Sequence, residues 1–345
     1  MQPERPLLTI AIPTYNRANY LSQLLSSLSG QLAAHPEVEL LISDNASTDT
    51  TPSVISEFES NALKMRYVRN QFNCGADANF LQCFEQSRGK YVWLVGDDDL
   101  IAPGSLDKIT ALLEGSEYAL IYLCPFPFRG DRLGGRDRDR FGRFAERIPN
   151  GSSFIRIVGP MITFISALIV NKSKYAALQV SCLESFIGTN LIQLGWCLPV
   201  LASGGESLIV WDKILEARVG NSGGYGICRV FSENLNEVLT KALPDSEEIR
   251  RILINFNLRE WFPTTIIQIR YSTAGGLEDE DFTTLLKGLH GRNWRYWVYV
   301  LPVVTLPRFA ARTWWTASQL LNRIGSLLRL IFSYPLWRRR MISTH

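Results

Sequence analysis

The chain has 345 residues, 46% of them hydrophobic and 20% charged, with a formal net charge of +3. A chain of this size and composition buries a full core, so we expect one large domain with an appendage, and no repeat or low-complexity tract argues otherwise. The six cysteines form no CxxC pair or regular disulfide framework, and the first ten residues lack the apolar core of a signal peptide, which together favour a reducing cytoplasm.

The amino-terminal part alternates between apolar strands and helices. An apolar run at residues 7–12 predicts a strand that ends in a polar cluster at 13–17, and leucines at helical spacing follow it. A second strand at 38–43 ends in a polar run at 44–51. Open α/β sheets bind their ligands at the carboxyl ends of parallel strands, so these clusters predict a binding site.

The stretch YVWLVGDDDL at residues 91–100 is the centre of this site. A buried strand at 91–95 runs into Gly96 and three carboxylates, Asp97, Asp98 and Asp99. Like charges held together repel one another unless a cation neutralises them, and hard oxygen ligands suit Mg²⁺ or Mn²⁺. The alternative is a solvated acidic turn that caps a helix at 106–113.

The middle of the chain is less regular. Residues 129–143 are rich in charge and glycine, which predicts a mobile loop or a lid whose arginines meet a diphosphate. Beyond it the pattern predicts a strand at 161–170, a helix at 184–194, a strand at 198–202 and an apolar run at 207–211. A glycine-rich loop at 221–226 is a turn or an acceptor-site loop, and residues 232–271 are helical.

The carboxyl-terminal part carries no acidic residue after Asp281. From Trp314 onward an apolar stripe that includes Ala317 and Leu321 recurs at helical spacing, with basic residues mostly opposite. Basic charge, tryptophans and an apolar face predict a helix in a membrane interface over about 290–345. The alternative is an ordinary helix packed on the rest of the protein. Apolar residues interrupt the charges too often for a nucleic-acid arm.

Four motifs give the chain a family resemblance. IPTYNR, SDNASTD, NQFNCGADANF and YVWLVGDDDLIAPGSL resemble, in order and spacing, the family 2 glycosyltransferases over about the first 110 residues. The GDDD form and FISALIVNKSKY at 164–175 are similar to the abequosyltransferase-like branch that builds bacterial O-antigen. The resemblance implies an α/β fold of the GT-A type, Rossmann-like and mostly parallel with helices on both faces, plus a helical, basic carboxyl-terminal region.

The resemblance also implies a role for each part of the chain and for individual residues. The catalytic domain would span residues 1–215 and the helical region 216–345. Asp44 would read the nucleobase. Asp98 and Asp99 would hold Mn²⁺ or Mg²⁺, with Asp97 as an alternative ligand and Asp98 also catalytic. Donor binding would involve Pro13, Thr14, Tyr15, Arg17, Asp44, Asn45, Asn79, Asp97 and Asp98.

The sequence departs from the family pattern at three places. Gly96 stands where the usual DxDD has its first aspartate, and Ala78 stands where relatives have an arginine. The ED pair that supplies the catalytic base is also missing. Glu184 is the only carboxylate between Glu146 and Glu206, so it is the candidate base by elimination, unless it only favours a helix dipole.

These observations predict a metal-dependent glycosyltransferase on the cytoplasmic face of the membrane. It would move a sugar from a nucleotide donor to a saccharide on a polyprenyl diphosphate lipid. Two alternatives stay open: a transferase that acts on a soluble or protein acceptor, and a catalytically silent scaffold that binds nucleotide sugars.

Overall fold

The structure is a computed structural model that describes residues 5–129, 144–178, 180, 182–220, 226–271 and 282–333. The predicted lid at 129–143, the glycine-rich loop at 221–226 and the basic carboxyl terminus therefore lie wholly or largely outside the described residues. The chain divides into two compact units, Met1–Leu253 and Ile254–His345.

Eleven strands form two sheets among the described residues. They are β1 (Leu8–Thr14), β2 (Val38–Asp44), β3 (Arg66–Arg69), β4 (Tyr91–Leu94), β5 (Leu100–Ile101), β6 (Leu120–Leu123), β7 (Phe126–Phe128), β8 (Ala145–Ile148), β9 (Leu168–Asn171), β10 (Ser207–Val210) and β11 (Leu215–Arg218). The larger sheet has the order β3-β2-β1-β4-β9-β6-β10-β8, and the smaller has the order β5-β11-β7. The larger sheet is mostly parallel, with β9 and β8 antiparallel to their neighbours.

Fourteen α-helices are described. They are α1 (Ala18–Leu32), α2 (Thr51–Ser60), α3 (Ala76–Gln86), α4 (Ser105–Leu113), α5 (Gly151–Val158), α6 (Lys172–Ala177), α7 (Leu194–Ala202), α8 (Ile227–Arg229), α9 (Leu235–Ala242), α10 (Glu247–Phe256), α11 (Phe262–Tyr271), α12 (Phe282–His290), α13 (Leu301–Thr305) and α14 (Arg308–Ser333). In α1, Leu21, Leu24, Leu25 and Leu28 fall on one face at helical spacing, and all four are buried.

The register of the larger sheet brings the polar strand ends together. Thr14 at the end of β1 pairs with Asp44 at the end of β2, which pairs in turn with Arg69 at the end of β3. Every residue of β1 and β4 is buried, and so is every residue of β2 except one. Both faces of the sheet are therefore covered by other parts of the chain. The predicted α/β fold with a mostly parallel sheet is confirmed.

Two sequence predictions in the middle of the chain are wrong. Residues 198–202, predicted as a strand, belong to α7, and the predicted helix at 184–194 is mainly a 3₁₀ turn (Leu183–Phe186) with the loop after it. Eight consecutive residues of α7, Leu194 to Leu201, are buried, so no polar face marked the helical period. The predicted strand at 161–170 is shorter and begins only at Leu168.

The boundary between the units differs from the predicted one. The sequence places it after residue 215, whereas the first compact unit runs to Leu253. The reason is that α9 packs against α7, which lies within the first unit. The roles assigned to the two parts of the chain stay predictions.

The second unit is helical in its described ranges. Helix α14 turns its mixed face inward: Trp315 Nε1 donates to Thr264 Oγ1 at 3.2 Å, and Tyr299 Oη donates to Asn322 Oδ1 at 3.1 Å. The apolar residues Trp314 and Leu321, about 100° further around the helix, are exposed. No helix within the described ranges combines the length and apolar character that crossing a bilayer requires.

Candidate active site

The acidic triplet lies where the two sheets meet. Strand β4 of the larger sheet ends at Leu94, and β5 of the smaller sheet begins at Leu100. Between them the chain makes a tight turn, in which Asp99 N–H donates to the Gly96 carbonyl at 3.1 Å. The turn therefore holds all three carboxylates at the carboxyl end of β4, beside the end of β1.

Asp97 is buried and bound by the exit of β1. Its carboxylate accepts hydrogen bonds from Thr14 Oγ1 at 2.8 Å and from Arg17 Nη1 at 3.0 Å. Burial raises the pKa of Asp97 to about 6, against the opposing effect of the Arg17 charge and the Thr14 hydroxyl. The structure thus brings together three of the residues that the sequence assigned to the donor site.

Asp98 and Asp99 differ in their surroundings. The Asp98 side chain is 19% exposed and pairs with Arg17 at 3.3 Å. Asp99 is buried and accepts the backbone N–H of Arg218 at 3.0 Å. Burial raises the pKa of Asp99 to about 7, although hydrogen bonds from Ser166 and Arg218 lower it. A cation beside this carboxyl group would favour its ionised form.

Arg218 is a residue of the site that the sequence did not indicate. It lies on β11 of the smaller sheet, where its guanidinium stacks between the rings of Tyr20 and Phe128 at 4.8 and 4.6 Å. Its Nε donates to the Asp98 carbonyl at 3.0 Å, and its Nη2 donates to Gln23 Oε1 at 2.6 Å. No motif pointed to it, because the contact joins residues 120 positions apart.

Ser166 is a second residue that the residue-by-residue assignment missed. Its Oγ accepts the backbone N–H of Gly96 at 2.9 Å and hydrogen-bonds the Asp99 carboxylate. Trp93 Nε1 donates to the Ser166 carbonyl at 2.7 Å and fixes the segment. Ser166 lies in the motif FISALIVNKSKY, but nothing in that motif distinguishes the serine from its neighbours.

Gly96 shows why the family's first aspartate is absent here. A Cβ built on Gly96 would lie 3.1 Å from Asp98 Oδ1 and 3.3 Å from Ser166 Oγ, closer than carbon and oxygen normally approach. It would also lie 3.5 Å from Asp99 Oδ2. Two carboxylate oxygens and a hydroxyl thus converge on the space that the missing side chain leaves.

This arrangement fits a divalent cation held by two carboxylates. Oxygen ligands from Asp98 and Asp99 suit Mg²⁺ or Mn²⁺, and both are within reach of the same space beside Gly96. Among the described residues, no group of three or more histidine, cysteine or carboxylate side chains is arranged to hold a metal ion. Substrate phosphates and water would have to supply the remaining ligands.

Asp44, the proposed base reader, is fully buried in a hydrogen-bond network. Its carboxylate accepts from Ser47 N at 2.8 Å and from Tyr67 Oη at 2.8 Å, and Arg69 Nε lies 3.4 Å away. Burial and the Asp44 hydrogen bond raise the pKa of Tyr67, so its hydroxyl stays a donor. Contact with a nucleobase through Asp44 stays a prediction, and it would require one of these partners to give way.

Asn45 organises the loop after β3. Its Oδ1 accepts from Asn70 Nδ2 and Cys74 N, both at 3.0 Å, and its Nδ2 donates to Asn73 Oδ1 at 2.8 Å. Both ends of the amide are therefore engaged with the protein. A carboxylate at this position would lose the donor that holds Asn73, which explains the amide without reference to the donor base.

Three more sequence candidates, Asn79, Pro13 and Tyr15, differ in burial. Asn79 is buried at the start of α3, where it accepts from Ser43 Oγ at 2.6 Å and donates to the Ser43 carbonyl at 3.1 Å. Pro13 is buried within β1, whereas Tyr15 is exposed beyond it. Tyr15 is accordingly the better placed of these residues to meet a ligand, and donor binding by all of them stays a prediction.

Glu184 shares no hydrogen bond with the acidic triplet among the described residues. Its carboxylate is exposed in the 3₁₀ turn and accepts from Cys182 Sγ at 2.6 Å, which lowers the pKa of Glu184. In the described part of the chain, no hydrogen bond or ion pair connects it to Asp97, Asp98 or Asp99. A lowered pKa makes it a weaker base than an ordinary glutamate, so its catalytic role stays a prediction.

Comparisons of the sequence with known proteins find glycosyltransferases. A family model described as Glycosyl transferase family 2 matches residues 9–169. The abequosyltransferase RfbV of Salmonella typhimurium is 34% identical over 295 residues, which cover 79% of this chain and 87% of RfbV. A GalNAc(5)-diNAcBac-PP-undecaprenol beta-1,3-glucosyltransferase of Campylobacter jejuni is 29% identical over 105 residues, covering 30% of this chain and 33% of that enzyme.

Among solved structures, residues 1–349 of Staphylococcus aureus TarS share the fold. The TM-score is 0.60 at 17% sequence identity, and the match covers 92% of this chain and 91% of that one. At this identity the likeness concerns the fold alone.

Proposed function

Because this chain belongs to the family 2 glycosyltransferases, we propose that it moves a sugar from a nucleotide-sugar donor to a saccharide acceptor during synthesis of O-antigen or another bacterial cell-surface polysaccharide. The observation that carries the proposal is the convergence of the Asp98 and Asp99 carboxylates beside Gly96, at the carboxyl end of β4. The similarity to the abequosyltransferase RfbV, which covers 87% of that enzyme, supports a role in the synthesis of such a polysaccharide.

The residues of the site would act on the donor diphosphate. Asp98 and Asp99 would hold Mn²⁺ or Mg²⁺, which would neutralise the charge that develops on the leaving nucleoside diphosphate. Asp97 holds Arg17 at the exit of β1, within the loop that would wrap the donor. The Ser166 hydroxyl and the Arg218 backbone N–H both hydrogen-bond the Asp99 carboxylate and so orient it.

Glu184 is the proposed base that takes the proton of the acceptor hydroxyl. It is exposed, so an acceptor can reach it, but its hydrogen bond from Cys182 lowers its pKa. The proposal predicts that Glu184→Gln keeps donor binding and loses most of the transfer. A variant that transfers sugar at the wild-type rate would remove Glu184 from the mechanism and leave the stereochemistry open.

The second unit supports a lipid-linked acceptor at a membrane surface. Five large apolar side chains of this unit are exposed: Trp294, Trp297, Phe309, Trp314 and Leu321. Because four of the five are aromatic, we call them the aromatic surface. Arg292, Arg308 and Arg312 are exposed on the same unit, which has no acidic residue after Asp281. Exposed aromatic side chains and unbalanced basic charge suit anionic lipid headgroups. We propose that this surface holds the enzyme on the cytoplasmic face of the membrane, where a polyprenyl diphosphate acceptor would be found.

The test is nucleotide release from a panel of UDP-, GDP-, CDP- and dTDP-sugars, with Mn²⁺ or Mg²⁺ and with EDTA. We expect slow hydrolysis of one donor, lost with the chelator and in Asp98→Ala and Asp99→Ala. Asp245→Ala is the matched control, because this aspartate is exposed and far from the triplet in sequence. Failure of every nucleotide sugar to bind would contradict the proposal. Binding without turnover, even with lipid-linked acceptor, would favour the silent scaffold.

A further inference from the structure

Arg17 occupies a position between two of the three carboxylates. Its Nη1 lies 3.0 Å from Asp97 Oδ1 and 3.3 Å from Asp98 Oδ2. The side chain is 35% exposed and reaches the triplet from the exit of β1, with the ring of Tyr20 5.9 Å away. A guanidinium is charged at every physiological pH, so Arg17 brings a permanent positive charge to the triplet.

This charge competes with a divalent cation. Arg17 pairs with Asp98 Oδ2, and the other oxygen of that carboxylate, Oδ1, faces Gly96 together with Asp99 Oδ2. A cation bound to Asp98 at the usual metal–oxygen distance of about 2.0–2.6 Å would lie close to the guanidinium. Two positive groups at such a distance in a partly buried site repel each other strongly.

A donor diphosphate would resolve the competition. Guanidinium groups bind phosphate oxygens in a bidentate manner, and Arg17 is exposed enough to rotate away from Asp97 and Asp98. Removal of the guanidinium takes its positive charge away from the Asp98 carboxylate, and the diphosphate supplies further oxygen ligands for the metal. Donor and metal would then each raise the affinity of the other by the same factor.

We propose that Arg17 is an internal counter-cation, which keeps the affinity of the triplet for a divalent metal low until a donor diphosphate draws the guanidinium away. The inference rests on the proposed function, because it assumes that Asp98 and Asp99 hold a metal. It goes further in making metal binding conditional on the donor and in assigning that coupling to one residue.

The experiment measures binding of Mn²⁺ alone to the full chain without nucleotide. We expect Arg17→Gln to bind Mn²⁺ about tenfold more tightly than wild type, within the usual range of coupling between sites. Arg17→Lys keeps the charge and should bind as weakly as wild type. Arg69→Gln is the matched control, since Arg69 is half-exposed and pairs with Asp44 at 3.4 Å in the neighbouring loop. Equal affinity for wild type and Arg17→Gln would overturn the proposal.

A second measurement covers the case in which Arg17→Gln does not fold. Wild-type crystals soaked in Mn²⁺ alone should show either no cation at the triplet or a cation with the Arg17 side chain turned away. A cation on Asp98 and Asp99 with Arg17 still paired to both carboxylates would overturn the proposal. Failure of the proposed function would look different: no variant would bind Mn²⁺ or any nucleotide sugar, which would overturn both.

Discussion

The backbone N–H of Arg218 donates a hydrogen bond to Asp99 Oδ1 at 3.0 Å, across 119 positions of the sequence. This bond ties the last residue of β11 to the end of the acidic triplet. The Arg218 side chain meanwhile donates to the Asp98 carbonyl and to Gln23. The smaller sheet thus fixes the turn that carries the carboxylates.

Arg218→Ala should weaken both folding and turnover. The change leaves the backbone bond to Asp99 but removes two side-chain hydrogen bonds and the stacking on Tyr20 and Phe128. We expect a loss of about 2–3 kcal/mol in the free energy of unfolding, measured by denaturant titration, and slower donor hydrolysis. Arg229→Ala, which breaks an exposed ion pair with Glu233 at 3.3 Å, is the control and should cost at most about 1 kcal/mol. Equal losses in the two variants would contradict the role of Arg218.

Gly96→Ala should damage the site more than the fold. Its Cβ would lie 3.1 Å from Asp98 Oδ1, so Asp98 has to move. We expect metal-dependent donor hydrolysis to fall by about tenfold or more, with an overpacking cost of about 1–3 kcal/mol. Gly30→Ala is the matched control, because nothing lies within 4 Å of a Cβ there and alanine favours the helix. Unchanged hydrolysis in Gly96→Ala would show that the space beside Gly96 is not used.

Ala46→Gly should stabilise the protein. Ala46 has a φ of +64°, in the left-handed region that residues with a Cβ rarely adopt. Glycine relieves this strain but loses more entropy on folding than alanine does. We therefore expect the free energy of unfolding to rise by about 0.5–1 kcal/mol. Thermal unfolding measures it. Ala33→Gly, where φ is −61°, should instead destabilise, and the same sign in both variants would contradict the explanation.

His35 predicts a pH dependence of stability. Burial tends to lower the pKa of His35, but hydrogen bonds to Glu37 and Asp107, at 2.7 and 3.0 Å, outweigh it and raise the pKa above 6.5. A raised pKa in the folded state means that His35 contributes stability below pH 6.5 and loses that contribution as the pH rises through the folded pKa.

Unfolding experiments on wild type and His35→Gln would measure this contribution. The difference in the free energy of unfolding should be larger at about pH 6 than at about pH 9, because the contribution of His35 is lost as the pH rises through its folded pKa. A difference that does not change with pH would show that the His35 ring is held by packing alone.

Membrane association should depend on the aromatic surface. Phe309 is 83% exposed and Leu321 is 68% exposed, so Phe309→Ser and Leu321→Ser should leave the stability unchanged. Burial of each side chain in a membrane interface contributes about 1.5–3 kcal/mol, so each change should weaken vesicle binding by about tenfold or more. Cosedimentation with phosphatidylcholine vesicles, with and without phosphatidylglycerol, measures this.

Phe72→Ser is the control for that measurement. Phe72 is 71% exposed but belongs to the first unit. Binding that requires phosphatidylglycerol and falls with salt would support the role of the basic residues. Equal loss of binding in Phe72→Ser, or no binding by wild type, would contradict the proposed membrane surface.

The fold class could be predicted from the residues alone, and so could the strand ends that form the candidate site. Apolar runs of strand length that end in polar clusters are local patterns, so the strands at 8–14, 38–44 and 91–94 could be predicted from neighbouring residues. The polar ends of parallel strands meet at one edge of a sheet, which brought Thr14, Asp44 and Asp97 into one candidate site. Residues 194–201 could not be predicted in this way. All of them are buried, so apolar and polar residues do not alternate with the helical period of 3.6.

The contacts of each side chain could not be predicted from the residues, because they depend on the packing of distant segments. Arg218 reaches Asp98 and Asp99 from the smaller sheet, and the amide of Asn45 is bound to the loop after β3, because hydrogen bonds of 3 Å depend on how distant segments pack. The same packing places Arg17 between Asp97 and Asp98. Residue types and spacing determine which strand end a side chain belongs to, whereas distance and burial determine whether it is free to meet a ligand.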